Sequence, residues 1–136
     1  MNNLIEACNA CIKKCHELKE HCTKCSDQCT SKHPIELKCT QFVQKFKSEL
    51  TPILYNCVTE FNEHFKTCTE RNCKRAAQEA IRKCEELLEL AQECSRICKE
   101  PSSECGKICT RSKIILDECS AVCTKYIENS CDLIPS

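Results

Sequence analysis

One glycine, four prolines and no tryptophan occur in the 136 residues, and aromatics make up only 4% of them. So few turn formers argue against many short strands and hairpins. The abundance of Glu, Lys, Ala, Leu and Gln points instead to long helices with few connections. An excess of charge of either sign is also missing. Twenty basic residues balance twenty acidic ones along the chain, so no nucleic-acid or membrane-surface footprint is expected. No apolar run approaches the roughly 18 residues of a transmembrane helix. The opening MNNLIEACNACIKKC has no basic segment followed by an apolar one, so no signal peptide is visible and a cytoplasmic location is expected. There is no Gly-rich phosphate loop, and a non-enzymatic protein is expected.

What the chain has in excess is cysteine, eighteen in all. Their placement is periodic. In Ile5 to Lys32, Cys8, Cys11, Cys15, Cys22, Cys25 and Cys29 follow one another at spacings of 3, 4, 7, 3 and 4, and Leu4 and Leu18 complete an unbroken 3–4 series. That is the a/d stripe of a heptad, normally occupied by Leu and Ile. A helix with this stripe buries its thiols.

Sparse punctuation divides the chain into four helices of one domain spanning residues 1–136, at about 3–31, 35–69, 73–99 and 101–131. Asn3 is the expected first cap, with Glu6 completing a capping box. Ser31-Lys32-His33-Pro34 forms the first turn. Pro52 predicts a kink or short break in the second helix, whose inward series reads Cys39, Val43, Phe46, Leu50, Ile53, Cys57, Phe61, His64 and Cys68. Asn72 is the expected cap of the third helix. That helix carries Cys73, Ala77, Ala80, Cys84, Leu87, Ala91, Cys94 and Cys98. Lys99 to Ser102 form the last turn, and the fourth helix carries Cys105, Cys109, Ser112, Leu116, Cys119, Cys123 and Tyr126, with Cys131 one place off the stripe. The fold class is all-α, an antiparallel up-down-up-down four-helix bundle with a cysteine-lined core. Counting residues along antiparallel helices sets Cys8, Cys57, Cys84 and Cys119 at one level. Cys29, Cys39, Cys98 and Cys105 form a second level, and Cys68, Cys73 and Cys131 a third.

Five pairs have CxxxC spacing: Cys11/Cys15, Cys25/Cys29, Cys94/Cys98, Cys105/Cys109 and Cys119/Cys123. Residues four apart on a helix have Cβ atoms about 5–6 Å apart, whereas a disulfide needs about 3.5–4.5 Å. Such pairs make poor disulfides but can hold a soft ion between two thiolates, which selects Cu(I), Zn(II) or iron–sulfur clusters. Structural zinc takes four ligands at discrete sites, usually on knuckles or loops. Cu(I) is content with two or three sulfurs and can share them. One Cu(I) per thiolate leaves a neutral core, while four thiolates on Zn(II) leave two negative charges to bury. Multiple Cu(I) ions, roughly one per cysteine, are therefore the expected cargo. His64 falls on the inner stripe near Cys68 and Cys123 in height, as a nitrogen ligand at the end of the tube or a satisfied core histidine. His16 and His21 lie off the stripe and are expected in solvent. Two other classes stay open: a disulfide-stapled helical interaction module, and a Zn(II) or iron–sulfur site protein.

Over its whole length the chain resembles the bacterial copper storage proteins, four-helix bundles whose inward faces carry many cysteines, often as CxxxC pairs. The resemblance implies Cu(I) bound by thiolates along the bundle axis, ions admitted at one open end, and a homotetramer. The five CxxxC pairs are the matching positions. The heptad series assigns the remaining ligands. A copper-delivering chaperone or small thiol is the partner such a store calls for. Against the family pattern, the second helix has only Cys39, Cys57 and Cys68, and no His-rich cluster marks a mouth. Copper is expected to be thin near Phe46, Leu50, Leu87 and Leu116, which would divide the tube.

Overall fold

A computed structural model describes the backbone of residues 2–30, 36–98 and 103–129, and side chains for residues 3–27, 41–98 and 103–128. Five α-helices make four rods among these residues: α1 (Asn2–Thr30), α2 (Glu36–Lys45) running through a π-helical turn (Phe46–Leu50) into α3 (Thr51–Thr67), α4 (Arg71–Ile97) and α5 (Ser103–Asn129). The all-α bundle with a cysteine-lined core is what the periodicity required. The expected turns at residues 31–34 and 99–102 lie outside the described residues, as do His33 and Cys131.

Cross-helix partners give the directions of neighbouring rods. Cys25 meets Cys105 and Cys109 while Cys11 meets Cys119, so α1 and α5 run antiparallel. Glu93 pairs with Arg111 and Lys83 with Glu118, so α4 and α5 do the same. His64 meets Cys73 at the α3–α4 junction. Lys14 reaches Glu49, and Cys57 reaches the Ala7 carbonyl, which sets α1 against the second rod. Exposed pairs such as Lys19–Asp117 at 2.8 Å contribute only about 0–1 kcal/mol each. Stability comes from the one core cluster that all the rods share.

The second rod departs from a regular heptad, and the reason is Pro52. Its ring has no N–H to donate and would crowd the carbonyl four residues back. The chain answers with one wide turn just before it. The Thr51 N–H bonds to the Phe46 carbonyl, five residues earlier, and the helix passes on without a break. The expected kink is thus a π-turn, a common way for a helix to absorb an extra residue. The inward face shifts with it. Phe42, Phe46, Leu50, Leu54 and Cys57 are all 0% exposed, three consecutive steps of four residues. Twelve residues of ideal α-helix overshoot three full turns by about 120°, an excess the wide turn partly takes up. Val43 and Ile53, expected inside, are therefore only half-buried.

The helix ends also differ from the cap reading. Asn3 lies inside α1 rather than capping it. Glu70, in extended conformation, precedes α4 and makes no side-chain cap, while Asn72 is exposed within the helix. Cys68 closes α3 through its N–H to the His64 carbonyl at 2.8 Å. Only three residues thus join α3 to α4. On α4 and α5 the expected inward series is buried throughout, with Leu90, Ile108, Ile115 and Ser120 added.

Candidate metal centre

Fifteen cysteines have described side chains; all are buried and none is joined in a disulfide. Of the other three candidate ligands, Cys29 and Cys39 lie on α1 and α2 with side chains outside the described set, and Cys131 lies beyond it. The fifteen are not strung evenly along the axis. They gather into three tiers.

The first tier lies where α4 ends and α5 begins. The Sγ atoms of Cys25, Cys98, Cys105 and Cys109 are all within 4.8 Å of one another. Cys25 approaches Cys109 to 3.0 Å and Cys105 to 3.7 Å. Cys22 flanks this group, its thiol donating to the Cys109 carbonyl at 2.6 Å. Cys94 borders it on α4 and meets the Ser112 hydroxyl at 3.5 Å.

The second tier is centred on Cys11. Its Sγ lies 3.9 Å from Cys15 and 3.8 Å from Cys119. It belongs at once to a triad with Cys57 and Cys84 and to a triad with Cys119 and Cys123. Cys84 and Cys119 close the ring at 4.0 Å, and Cys8 is among the neighbours that push the Cys123 thiol up. Of the expected level of Cys8, Cys57, Cys84 and Cys119, the last three gather around Cys11, one helical turn from Cys8. Cys123, expected near His64, joins Cys11 instead.

The third tier is mixed. His64, 6% exposed, sets Nε2 3.4 Å from the Cys73 sulfur, and Cys68 completes a group within 4.8 Å. The Cys73 sulfur also meets the Tyr126 hydroxyl at 3.7 Å, and the Tyr126 ring stands edge-on to those of Phe61 and His64.

Apolar layers separate the tiers. Between the first two, every rod replaces thiol by hydrocarbon: Leu18 on α1, Phe46 and Leu50 in the π-turn, Leu87 on α4 and Leu116 on α5, each at most 1% exposed. The residues around which copper is expected to be thin thus contribute, with Leu18, one buried apolar layer with a side chain from every rod. Between the second and third tiers stand Phe61, Ala77, Ala80 and Tyr126, all buried.

Shared hydrogen bonds divide the thiols of the second tier. Bonds from Cys119, Cys123, Cys15 and Cys57 hold Cys11 far below the ordinary thiol range, against the pull of burial. Contact with Cys11 is the first reason that Cys15, Cys57, Cys84 and Cys123 are pushed up, and burial adds to it. Cys119 is raised by Cys11, but Cys123, Cys15 and Cys84 outweigh this and bring it to about 6. In the first tier, Cys105 foremost pushes up Cys98 and Cys109, and Cys98 with burial pushes up Cys94. A buried cluster tolerates few negative charges until a cation arrives, so an incoming metal must expel protons.

Several features were not legible in the spacing. The closest thiol pairs are formed between helices, not within CxxxC pairs. The absence of a CxxC pair, on which a reading against zinc knuckles and redox pairs would rest, does not hold: Cys8/Cys11 and Cys22/Cys25 have that spacing in the sequence, although both lie inside α1 rather than on turns. Ser112 and Tyr126 were placed on the stripe without a role, yet their hydroxyls meet the sulfurs of Cys94 and Cys73. Their signal was polarity at an inward position. His16 lies off the stripe as expected, although its Nε2 is 3.3 Å from the Ser120 hydroxyl. His21 is half-buried. Among the described residues no helix is long and apolar enough to cross a membrane. Comparison of the chain with protein-family models, curated proteins and solved structures finds no match.

Proposed function

We propose that this protein binds and stores Cu(I), using its buried thiolates as ligands for several ions at once. One observation carries the reading: the Cys11 sulfur is a vertex of two thiol triads. A discrete site has no use for a shared ligand. A cluster of two- or three-coordinate soft ions needs one, because a bridging thiolate lets neighbouring ions occupy adjacent sites without doubling the buried charge. Burial of every described thiol excludes competing water and hard ligands. The rigid helices hold sulfurs close before metal arrives, so little chain ordering opposes binding. Metal that bridges α1, α3, α4 and α5 binds the folded state and raises its stability.

This is the chemistry of the copper storage proteins that the chain resembles. The reading extends to a non-enzymatic, cytoplasmic buffer that takes Cu(I) from a chaperone or small thiol and assembles as a homotetramer. The test is an anaerobic titration of the reduced protein with Cu(I) against a competing chelator. Tight uptake approaching one ion per cysteine supports storage. Saturation at one to four ions refutes it and leaves discrete sites. Absence of tight uptake, with few titratable thiols in the isolated protein, leaves the disulfide-stapled module.

A further inference from the structure

The three tiers are not alike, and the first has a geometry the second lacks. Four thiols, Cys25, Cys98, Cys105 and Cys109, are mutually close, whereas the largest mutually close sets around Cys11 are triads sharing a ligand. A tetrahedral site with Zn–S bonds of about 2.3 Å has sulfur–sulfur edges of about 3.8 Å. Cys25–Cys105 at 3.7 Å already matches that edge, and Cys25–Cys109 at 3.0 Å needs only to open. The location fits as well. Cys98 is the C-cap of α4, with non-helical φ −89° and ψ 46°, and Cys105 lies in the first turn of α5. Two ligands thus come from the end of α4 and the first turn of α5, and Cys25 brings in α1.

We propose that Cys25, Cys98, Cys105 and Cys109 form a separate, closed four-thiolate site for one divalent tetrahedral ion of the Zn(II) class, distinct from the Cu(I) cluster around Cys11. The inference deepens the copper reading by giving two tiers different ions, and it rests on that reading only for the word distinct. Between the tiers lies the floor of Leu18, Leu50, Leu87 and Leu116, which offers no ligand through which clusters would merge. The two negative charges such a site leaves are costly in a dry core. Here the same turns of α4 and α5 bring Arg96, Lys107 and Arg111 into one surface groove with Glu93 and Glu104, with Arg111 paired to Glu93, so that one net positive charge lies close in sequence to the ligands. The role is structural: one ion clamps the end of α4 and the start of α5 to α1.

Co(II), which absorbs in the visible and prefers the same tetrahedral sulfur sites, is the probe. Reduced metal-free protein is titrated anaerobically with Co(II), then with Zn(II). The expected result is one Co(II) per chain, with thiolate charge-transfer and tetrahedral ligand-field bands, displaced by one equivalent of Zn(II). Cys98→Ser and Cys105→Ser are each expected to weaken Co(II) binding by more than the roughly 10–100-fold that losing an outer-shell partner costs. The wild-type spectrum decides the matter even if a variant fails to fold. Bands of an octahedral or mixed oxygen–sulfur site, several Co(II) per chain, or full binding in a folded Cys98→Ser variant would overturn the proposal. Because no copper is present, failure here leaves the Cu(I) titration intact, and success survives a failed copper titration.

Discussion

Replacing Leu87 by Ala tests whether the apolar floor is a structural partition or a passage. Leu87 is 0% exposed, at the level where Leu18, Phe46, Leu50 and Leu116 close the core. The substitution removes three carbons beyond Cβ, worth about 0.8 kcal/mol each, or about 2.4 kcal/mol of transfer energy. The cavity adds to this, because four packed rods collapse only partly, so about 3–4 kcal/mol is expected. For a chain of this length that corresponds to a fall in Tm of roughly 12–16 °C. Circular dichroism melts of the metal-free protein at fixed pH and concentration measure it. Cu(I) capacity, titrated at a temperature where the variant is folded, should match wild type within one ion, since Leu87 touches metal in neither tier. A Tm loss of only a few degrees would refute the packed floor. A capacity loss of several ions in a folded variant would refute the separation of tiers.

The metal-free protein should lose stability as pH rises above about 8.5, the ordinary thiol range. Cys15, Cys57, Cys84, Cys94, Cys98, Cys109 and Cys123 keep their protons in the folded state beyond that pH, while the unfolded chain releases them. The unfolded state then binds fewer protons, and stability falls with pH by about 1.4 kcal/mol per unit for each such thiol. Cys11 and Cys119 act oppositely, adding stability as pH rises toward 8.5, but they are outnumbered. Urea midpoints between pH 6 and 10 check this, and a midpoint that keeps rising above pH 9 would contradict it. Replacing Cys11 and Cys15 together by Ser should lower Cu(I) capacity by one or two ions and leave helicity unchanged. Global unfolding, seen by circular dichroism, would make these thiols structural first.

Much of the chain's local organisation is legible without coordinates. A stripe recurring every 3 or 4 residues constrains which side chains share a helix face, because 3.6 residues per turn is a local property of the backbone. Cys8 to Cys25 and Cys73 to Cys98 were thereby placed inward, and they are buried. The scarcity of turn formers determined that the rods are long and few. Which thiols touch across the bundle was not local. It depends on the axial offset and rotation of neighbouring rods, set by turns and packing, and an error of one turn moves a ligand from one tier to the next, as it did for Cys123. Pro52 was visible, but whether it kinks the helix or widens one turn depends on what the flanking side chains gain by burial, and with the wide turn Phe42, Phe46, Leu50 and Leu54 are all buried. The sequence alone therefore determined a helical protein with its thiols inside. Tertiary structure decided that they form three separated groups, because only packed rods at a definite offset bring sulfurs 25 and 109 together and place Leu87 between the tiers.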